Sequence, residues 1–147
     1  MEHNRSAILS CNATAADLLS DVLLQAGYDR PQRSEDLGVA KLARYAPRVL
    51  MIDLDHLRSD KLESIRQLRF VLPNCVIAVI SSNSERSWTR QCHMAGANGV
   101  LCSGGDTRRV LAGLRRAVQT GCYTDSGSAA IEPPYLPDVR MERKRVR

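Results

Sequence analysis

Three acidic side chains follow one strongly apolar run near the middle of the chain. The segment VLMIDLDHLRSD, residues 49–60, begins with four apolar residues and then contains Asp53, Asp55 and Asp60. A carboxylate at the carboxyl end of a buried strand is where an α/β protein places its chemistry. Asp53 could therefore accept a phosphoryl group, bind a metal ion, or be an acid whose partner groups are absent.

His56 lies among these acids and adds a nitrogen atom to a conceivable metal cluster. Strand geometry places Asp53 and Asp55 on the same side of the chain, but a loop begins there and nothing in the sequence fixes His56. We therefore predict a solvated loop and no metal site. Asp53 would then cap local backbone or lie in solvent.

The five cysteines are an odd number and form no CxxC pair. Several lie inside apolar segments, which is typical of reduced core residues in a cytoplasmic protein. Cys11 and Cys102 end two predicted strands near the same crevice, so a thiol-sensing role is an alternative to unreactive buried thiols.

The length of 147 residues is that of one domain with room for a substantial core. No apolar run approaches the roughly 18 residues of a membrane span. The first residues, MEHNRSAILS, lack the long apolar region of a secretory signal. We expect a cytoplasmic location and no membrane partner.

Apolar runs alternate with amphipathic segments along most of the chain. The apolar runs predict five strands, at residues 6–11, 28–33, 48–53, 75–81 and 98–103. The amphipathic segments predict five helices, at residues 13–28, 35–46, 60–72, 84–97 and 107–121. In the first and last helices the predicted inward residues are Leu18, Leu19, Val22 and Leu23, and Val110, Leu111, Leu114 and Val118.

Short apolar strands that alternate with such helices require a parallel sheet covered on both faces. The predicted fold class is therefore α/β, a doubly wound five-stranded parallel sheet in three α/β/α layers.

The composition changes beyond Gly121. The segment TDSGSAAIEPPYLPD is rich in Ser, Gly and Pro, and residues 138–147 carry five basic and two acidic side chains. That end contributes +3 of the formal net charge of +5, so the rest of the chain is nearly balanced. We predict a domain at residues 1–121 and a linker or flexible basic tail at residues 122–147. The tail residues that could contact nucleic acid are Arg143, Lys144, Arg145 and Arg147.

The order of these elements and three local segments resemble the receiver domain of bacterial response regulators. That family has a CheY-like, flavodoxin-like (βα)5 fold. The segments are VLMIDLD, VIAVISS and GANGVLCS, at the ends of the third, fourth and fifth strands, and the resemblance covers residues 6–120. The run GLRRAVQTGCYTD is similar to nitrate-regulator-like receivers, which precede a helix-turn-helix DNA-binding domain.

The resemblance implies a site built from several groups in an active receiver. It places the phospho-acceptor at Asp53 and the hydroxyl that contacts the phosphoryl group at Ser81. Two further acids would hold Mg²⁺ together with the acceptor, and a lysine would contact the phosphate. These charges are needed because phosphoryl transfer to a carboxylate brings like charges together.

Four positions depart from that pattern. The acid pair falls on Ser10 and Cys11, the lysine on Ser103, and the aromatic switch residue of the fifth strand on Val100. One carboxylate instead of three should bind Mg²⁺ weakly or not at all, because this hard ion prefers several oxygen ligands. The resemblance, with these departures, implies a degenerate pseudo-receiver in which Asp53 is not ordinarily phosphorylated.

We therefore predict a signalling module that is not an enzyme, has no cofactor, and acts through a protein partner or as a homodimer in transcription regulation. The partner surface of many receivers comprises the fourth helix, fifth strand and last helix. In that region Trp88 would be an interface anchor if exposed and a core residue if buried. DNA would be contacted only through an effector domain beyond Arg147 or through the basic tail.

Two other functions remain open at this point. One is a phosphorylatable receiver that uses Asp53 as the acceptor in a phosphorelay. The other is a nucleic-acid-binding protein that acts through its basic tail.

Overall fold

Six short strands form one parallel sheet in the computed structural model of the chain, which describes residues 4–104 and 106–125. The strands are β1 (Ser6–Leu9), β2 (Gln32–Ser34), β3 (Val49–Asp53), β4 (Val76–Ser81), β5 (Gly99–Cys102) and β6 (Tyr123–Thr124). The helices are α1 (Ala13–Gln25), α2 (Val39–Tyr45), α3 (Lys61–Val71), α4 (Arg86–Ala95) and α5 (Thr107–Thr120). The strand order across the sheet is β2-β1-β3-β4-β5-β6.

Helices cover both faces of this sheet. On one face Leu50 and Ile52 of β3 pack with the helices α2, α3 and α4, and on the other Met51 packs with α1 and α5. Because alternate residues of β3 enter opposite cores, every position of the strand before Asp53 must be apolar. The predicted doubly wound parallel sheet with three layers is confirmed.

The predicted number of strands, five, is corrected to six. The additional strand β6 pairs with β5, and the backbone N–H groups of Tyr123 and Asp125 donate to the carbonyls of Asn98 and Val100, both at 2.8 Å. A two-residue strand has no periodicity of its own, so only its pairing with β5 defines it.

The new strand lies just past the predicted domain boundary at residue 121. That boundary and the basic tail with Arg143, Lys144, Arg145 and Arg147 stay predictions, since residues 126–147 lie outside the described residues. Among the helices of the described residues, none has the length and apolar character needed to cross a membrane.

Two apolar residues that we expected to face inward are partly exposed. Leu18 of α1 and Val118 of α5 have exposed fractions of 38% and 39%, whereas Leu19 and Leu114 on the same helices are buried. The reason is geometric, because adjacent residues on a helix point about 100° apart and the core contacts a narrow stripe, which contains their neighbours Leu19 and Ala117.

Arg69 of α3 joins the segments that lead into β4 and β5. Its guanidinium donates to the carbonyl oxygens of Gly96 (3.0 and 2.9 Å) and Cys75 (2.8 Å), and to Asn98 Oδ1 (2.6 Å). The same Asn98 oxygen accepts from the backbone N–H of Ile77 at 2.8 Å. Gly96 has a φ of +130°, and a Cβ there would lie 2.6 Å from the Arg69 Cβ, so only glycine fits beside this side chain.

Replacing Arg69 by Ala should lower the free energy of unfolding by about 2–4 kcal/mol, because several partly buried carbonyl groups would lose their donor. Urea unfolding followed by circular dichroism measures this loss. The matched control is Arg66→Ala, which removes only an exposed pair with Glu63 on the same helix and should cost less than about 0.5 kcal/mol. Equal losses in the two variants would contradict the role assigned to Arg69.

Candidate functional site

Asp53 is a nearly buried acid at the carboxyl end of β3. Its exposed fraction is 3%, and the strand that precedes it is buried throughout. The chain turns directly into a 3-10 helix, Leu54–His56, which brings the side chain of His56 back beside Asp53. The structure therefore differs from the predicted solvated loop.

Two side chains share a single oxygen atom of the Asp53 carboxylate. The Oδ2 atom is 2.8 Å from Ser10 Oγ and 2.7 Å from His56 Nδ1. An ionised carboxylate can only accept, so the Ser10 hydroxyl and the His56 ring N–H are the donors. Such charge-assisted hydrogen bonds compensate the loss of water around a buried carboxylate.

The two residues at the acid-pair positions have separate roles. Ser10 is buried and faces Asp53, and its oxygen also accepts from the backbone N–H of Asn12 at 3.1 Å. The Cys11 thiol instead contacts the backbone carbonyl of Glu35 at 2.9 Å. Asp53 thus has a hydroxyl donor where the resemblance would place a second carboxylate.

The Ser81 hydroxyl is also engaged. Ser81 is buried, and its Oγ accepts from Trp88 Nε1 at 3.1 Å and from the backbone N–H of Asn83 at 3.1 Å. Trp88 is half-buried and packs against the core under α4. The indole is therefore neither the free interface anchor nor the fully buried core residue that the sequence left as alternatives.

The fifth strand contributes no charged group at the positions that the resemblance identified. Val100 is 2% exposed and belongs to the core, while Ser103 is exposed and its backbone N–H donates to the Ser81 carbonyl at 3.1 Å. Ser103, which the resemblance assigns to the lysine position, lies next to the end of β4 and offers a neutral hydroxyl.

The remaining acids of the opening segment stabilise local structure. Asp55 Oδ1 accepts from the backbone N–H and the hydroxyl of Ser82, at 2.9 and 3.1 Å. Asp60 caps α3 by accepting from the N–H of Glu63 at 2.8 Å. Among the described residues, no group of three or more His, Cys, Asp or Glu side chains could hold a metal ion.

Other titratable groups lie away from this edge of the sheet. Burial raises the pKa of Cys75 and of Cys92 to about 12, so both thiols are protonated and unreactive. Burial also lowers the pKa of His93 to about 4. The ring nitrogens of His93 contact the Ala97 carbonyl (2.9 Å) and the Thr124 hydroxyl (2.8 Å).

The structure brings most of the predicted site residues to one edge of the sheet. Ser10 contacts Asp53 directly, and Ser81 and Ser103 follow on the neighbouring strands β4 and β5. Sequence reasoning missed the contact of His56 with Asp53 and that of Trp88 with Ser81. The His56–Asp53 contact had one weak signal in the sequence. The two residues are three positions apart, which is the length of one turn of a 3-10 helix.

Replacing Ser10 by Ala should lower the free energy of unfolding by about 1–3 kcal/mol, because the buried Asp53 carboxylate loses one of its two donors. The matched control is Ser84→Ala, an exposed serine after β4, which should change stability by less than about 0.5 kcal/mol. Urea unfolding at neutral pH measures both. A Ser10 variant as stable as the wild-type protein would show that the hydrogen bond contributes nothing.

Comparison with known proteins identifies the fold. No family model matches the sequence, and no curated protein matches it. A solved structure of a pilus assembly-related protein from Burkholderia pseudomallei is 20% identical, covers 82% of this chain and 92% of its own, and has a TM-score of 0.68. A response regulator from Thermotoga maritima is 14% identical, with 79% and 98% covered and a TM-score of 0.69. A LuxR family DNA-binding response regulator from Silicibacter pomeroyi is 16% identical, with 83% and 96% covered and a TM-score of 0.65.

These identities are low, so the comparison establishes the fold alone. The fold is that of CheY-like receiver domains of response regulators, as the motifs of the sequence predicted. The state of the site is a separate question, which depends on the residues around Asp53.

Proposed function

We propose that this chain is an atypical receiver domain, which signals through protein–protein contacts without ordinary Mg²⁺-dependent phosphorylation of Asp53. The observation that carries the proposal is the pair of hydrogen bonds to one Asp53 oxygen, from Ser10 and His56. In this arrangement two donors compensate the carboxylate charge that a cation would offset in an active receiver.

Magnesium binding is disfavoured by the ligands that remain. Mg²⁺ requires near-octahedral oxygen coordination and keeps its water shell unless carboxylates replace part of it. Asp53 offers one carboxylate, Ser10 offers a hydroxyl that already donates to it, and Cys11 offers a soft sulfur atom turned toward Glu35. We therefore expect Mg²⁺ affinity to be weak or absent.

Phosphoryl transfer to Asp53 also lacks a positive charge at the lysine position. Ser103 is neutral, and the Ser81 hydroxyl is already bonded to Trp88 and Asn83. A phosphoryl group on Asp53 would gain no cation from these positions. The competing function is a phosphorylatable receiver in a phosphorelay. Of the three acidic positions of the family, it would have only Asp53.

Magnesium titration separates these two functions, and Trp88 is the natural reporter. It is the only tryptophan of the chain and its indole N–H bonds to Ser81. We expect no saturable change of its fluorescence with Mg²⁺, alone or with beryllofluoride. The triple variant Ser10→Asp, Cys11→Asp, Ser103→Lys should show a saturable change at millimolar Mg²⁺, because it restores the missing charges.

The control for this titration is the triple variant with Asp53→Asn added, which should lose the response. A saturable response of the wild-type protein that Asp53→Asn abolishes would favour the phosphorelay function and overturn the proposed one. Intact mass after incubation with acetyl phosphate and Mg²⁺ checks the same point by a direct measurement.

The proposed partner surface comprises α4, β5 and α5. On the outer face of α4 the side chain of Met94 is 76% exposed, and Val118 of α5 is 39% exposed. The Trp88–Ser81 hydrogen bond ties α4 to the end of β4, so a change at the site edge can alter the position of this helix. The fold shared with a LuxR family DNA-binding response regulator supports a role in transcription regulation.

A dimer formed through this surface should be sensitive to charge at Met94. We expect Met94→Glu to weaken dimerisation by at least about tenfold, because the interface would bury an unpaired carboxylate. Sedimentation velocity over a concentration series measures this. The matched control is Phe70→Glu on α3, an apolar residue that is 86% exposed and lies outside the proposed interface. Dissociation by the control alone would place the interface on α3 instead.

A further inference from the structure

His56 is held in one orientation by the buried acid next to it. Its Nδ1 lies 2.7 Å from Asp53 Oδ2, and the side chains are 45% and 4% exposed. The imidazole thus has one nitrogen directed at a buried carboxylate and the rest of the ring near solvent. Ser10 donates to the same oxygen and so keeps the carboxylate in place.

This contact determines the tautomer of a neutral His56. The carboxylate can only accept, so the proton of the ring lies on Nδ1 and the lone pair lies on Nε2. Among the hydrogen bonds of the described residues, the ring takes part in one, through Nδ1. A carboxylate bonded to Nδ1 fixes the tautomer and the orientation of the ring, so Nε2 is the nitrogen that can act as a ligand or nucleophile.

The other histidine of the described residues provides a contrast within the same fold. Both ring nitrogens of His93 contact oxygen atoms, and burial lowers its pKa to about 4. His93 therefore has no nitrogen available to an electrophile. The arrangement at His56, with one nitrogen oriented and one exposed, is that of a nucleophile positioned by an acid.

We propose that Nε2 of His56 is a phosphoryl-acceptor site, which takes its phosphoryl group from a phosphoramidate or acyl phosphate donor. The Nε2 lone pair attacks phosphorus and forms an N–P bond, while the bond from phosphorus to the leaving group breaks. Ammonia leaves from phosphoramidate, or acetate from acetyl phosphate, with the electron pair of that bond. The ring, still protonated at Nδ1, becomes a cation that the Asp53 carboxylate neutralises.

This assignment is chosen over a metal site because the described residues contain no cluster of three or more ligands. It differs from phosphorylation of Asp53, whose Oδ2 atom accepts hydrogen bonds from Ser10 and His56. The inference adds a covalent signal to the proposed function, at a residue three positions away from the family's acceptor.

The experiment uses the full chain with His3→Gln, so that His56 and His93 are the only histidines. Potassium phosphoramidate without Mg²⁺ is one arm, and acetyl phosphate with Mg²⁺ is the other. Intact mass and ³¹P NMR follow the product, and N-acetylhistidine in the same tube is the reference imidazole. Phosphohistidine survives alkali and is cleaved by acid, whereas an aspartyl phosphate is hydrolysed by alkali.

We expect His56 to be phosphorylated by phosphoramidate about tenfold faster than N-acetylhistidine, since outer partners of an imidazole typically contribute that much. The variant Asp53→Asn should reduce the rate to that of the reference. The control variant Asp55→Asn makes the same change at the neighbouring carboxylate, which lies on the 3-10 helix and bonds to Ser82 instead, and should keep the fast rate. The variant His56→Gln should abolish the label.

A rate for His56 equal to that of N-acetylhistidine in the folded wild-type protein would overturn the inference, whatever the variants do. So would an Asp53→Asn variant that folds normally and keeps the fast rate. An aspartyl phosphate on Asp53 without phosphohistidine would overturn this inference and the proposed function together. Absence of phosphate from both residues would overturn this inference alone.

Discussion

The buried carboxylate of Asp53 is the constraint on which the functional edge of this protein depends. A charge with an exposed fraction of 3% must be matched by donors or by a cation. Ser10 and His56 supply two hydrogen bonds to the same oxygen. The 3-10 turn after β3 meets this need for donors, because it brings His56 back to Asp53.

The rest of the sheet edge is organised around further hydrogen bonds. Ser81 bonds to Trp88, and the backbone of Ser103 bonds to the Ser81 carbonyl. Asp55 fixes the start of the loop after β4 through Ser82. A receiver fold can therefore keep the carboxyl ends of its strands ordered without the acidic pair and the lysine, provided that each buried polar group has another partner.

At the opposite edge of the sheet, one arginine joins the segments that lead into two strands. Arg69 donates to the carbonyls of Gly96 and Cys75 and to the side chain of Asn98, where β4 and β5 begin. Nothing in the sequence distinguished Arg69 from the exposed Arg66 on the same helix. Both are arginines on an amphipathic helix, and only the packing of α3 against the β5 segment decides which one is enclosed.

The amino-acid pattern by itself determined the α/β class, the parallel sheet and the position of Asp53, because apolar strands and amphipathic helices have periods that local sequence must obey. The resemblance to receiver domains added that Ser10, Cys11 and Ser103 are neutral at positions where that family carries charge, and neutrality is a property of residue type. The tertiary structure decided which groups replace them. His56 meets Asp53, Trp88 meets Ser81, and β6 joins the sheet only because separate segments converge in space. Such contacts depend on turn geometry and packing, which no local period encodes.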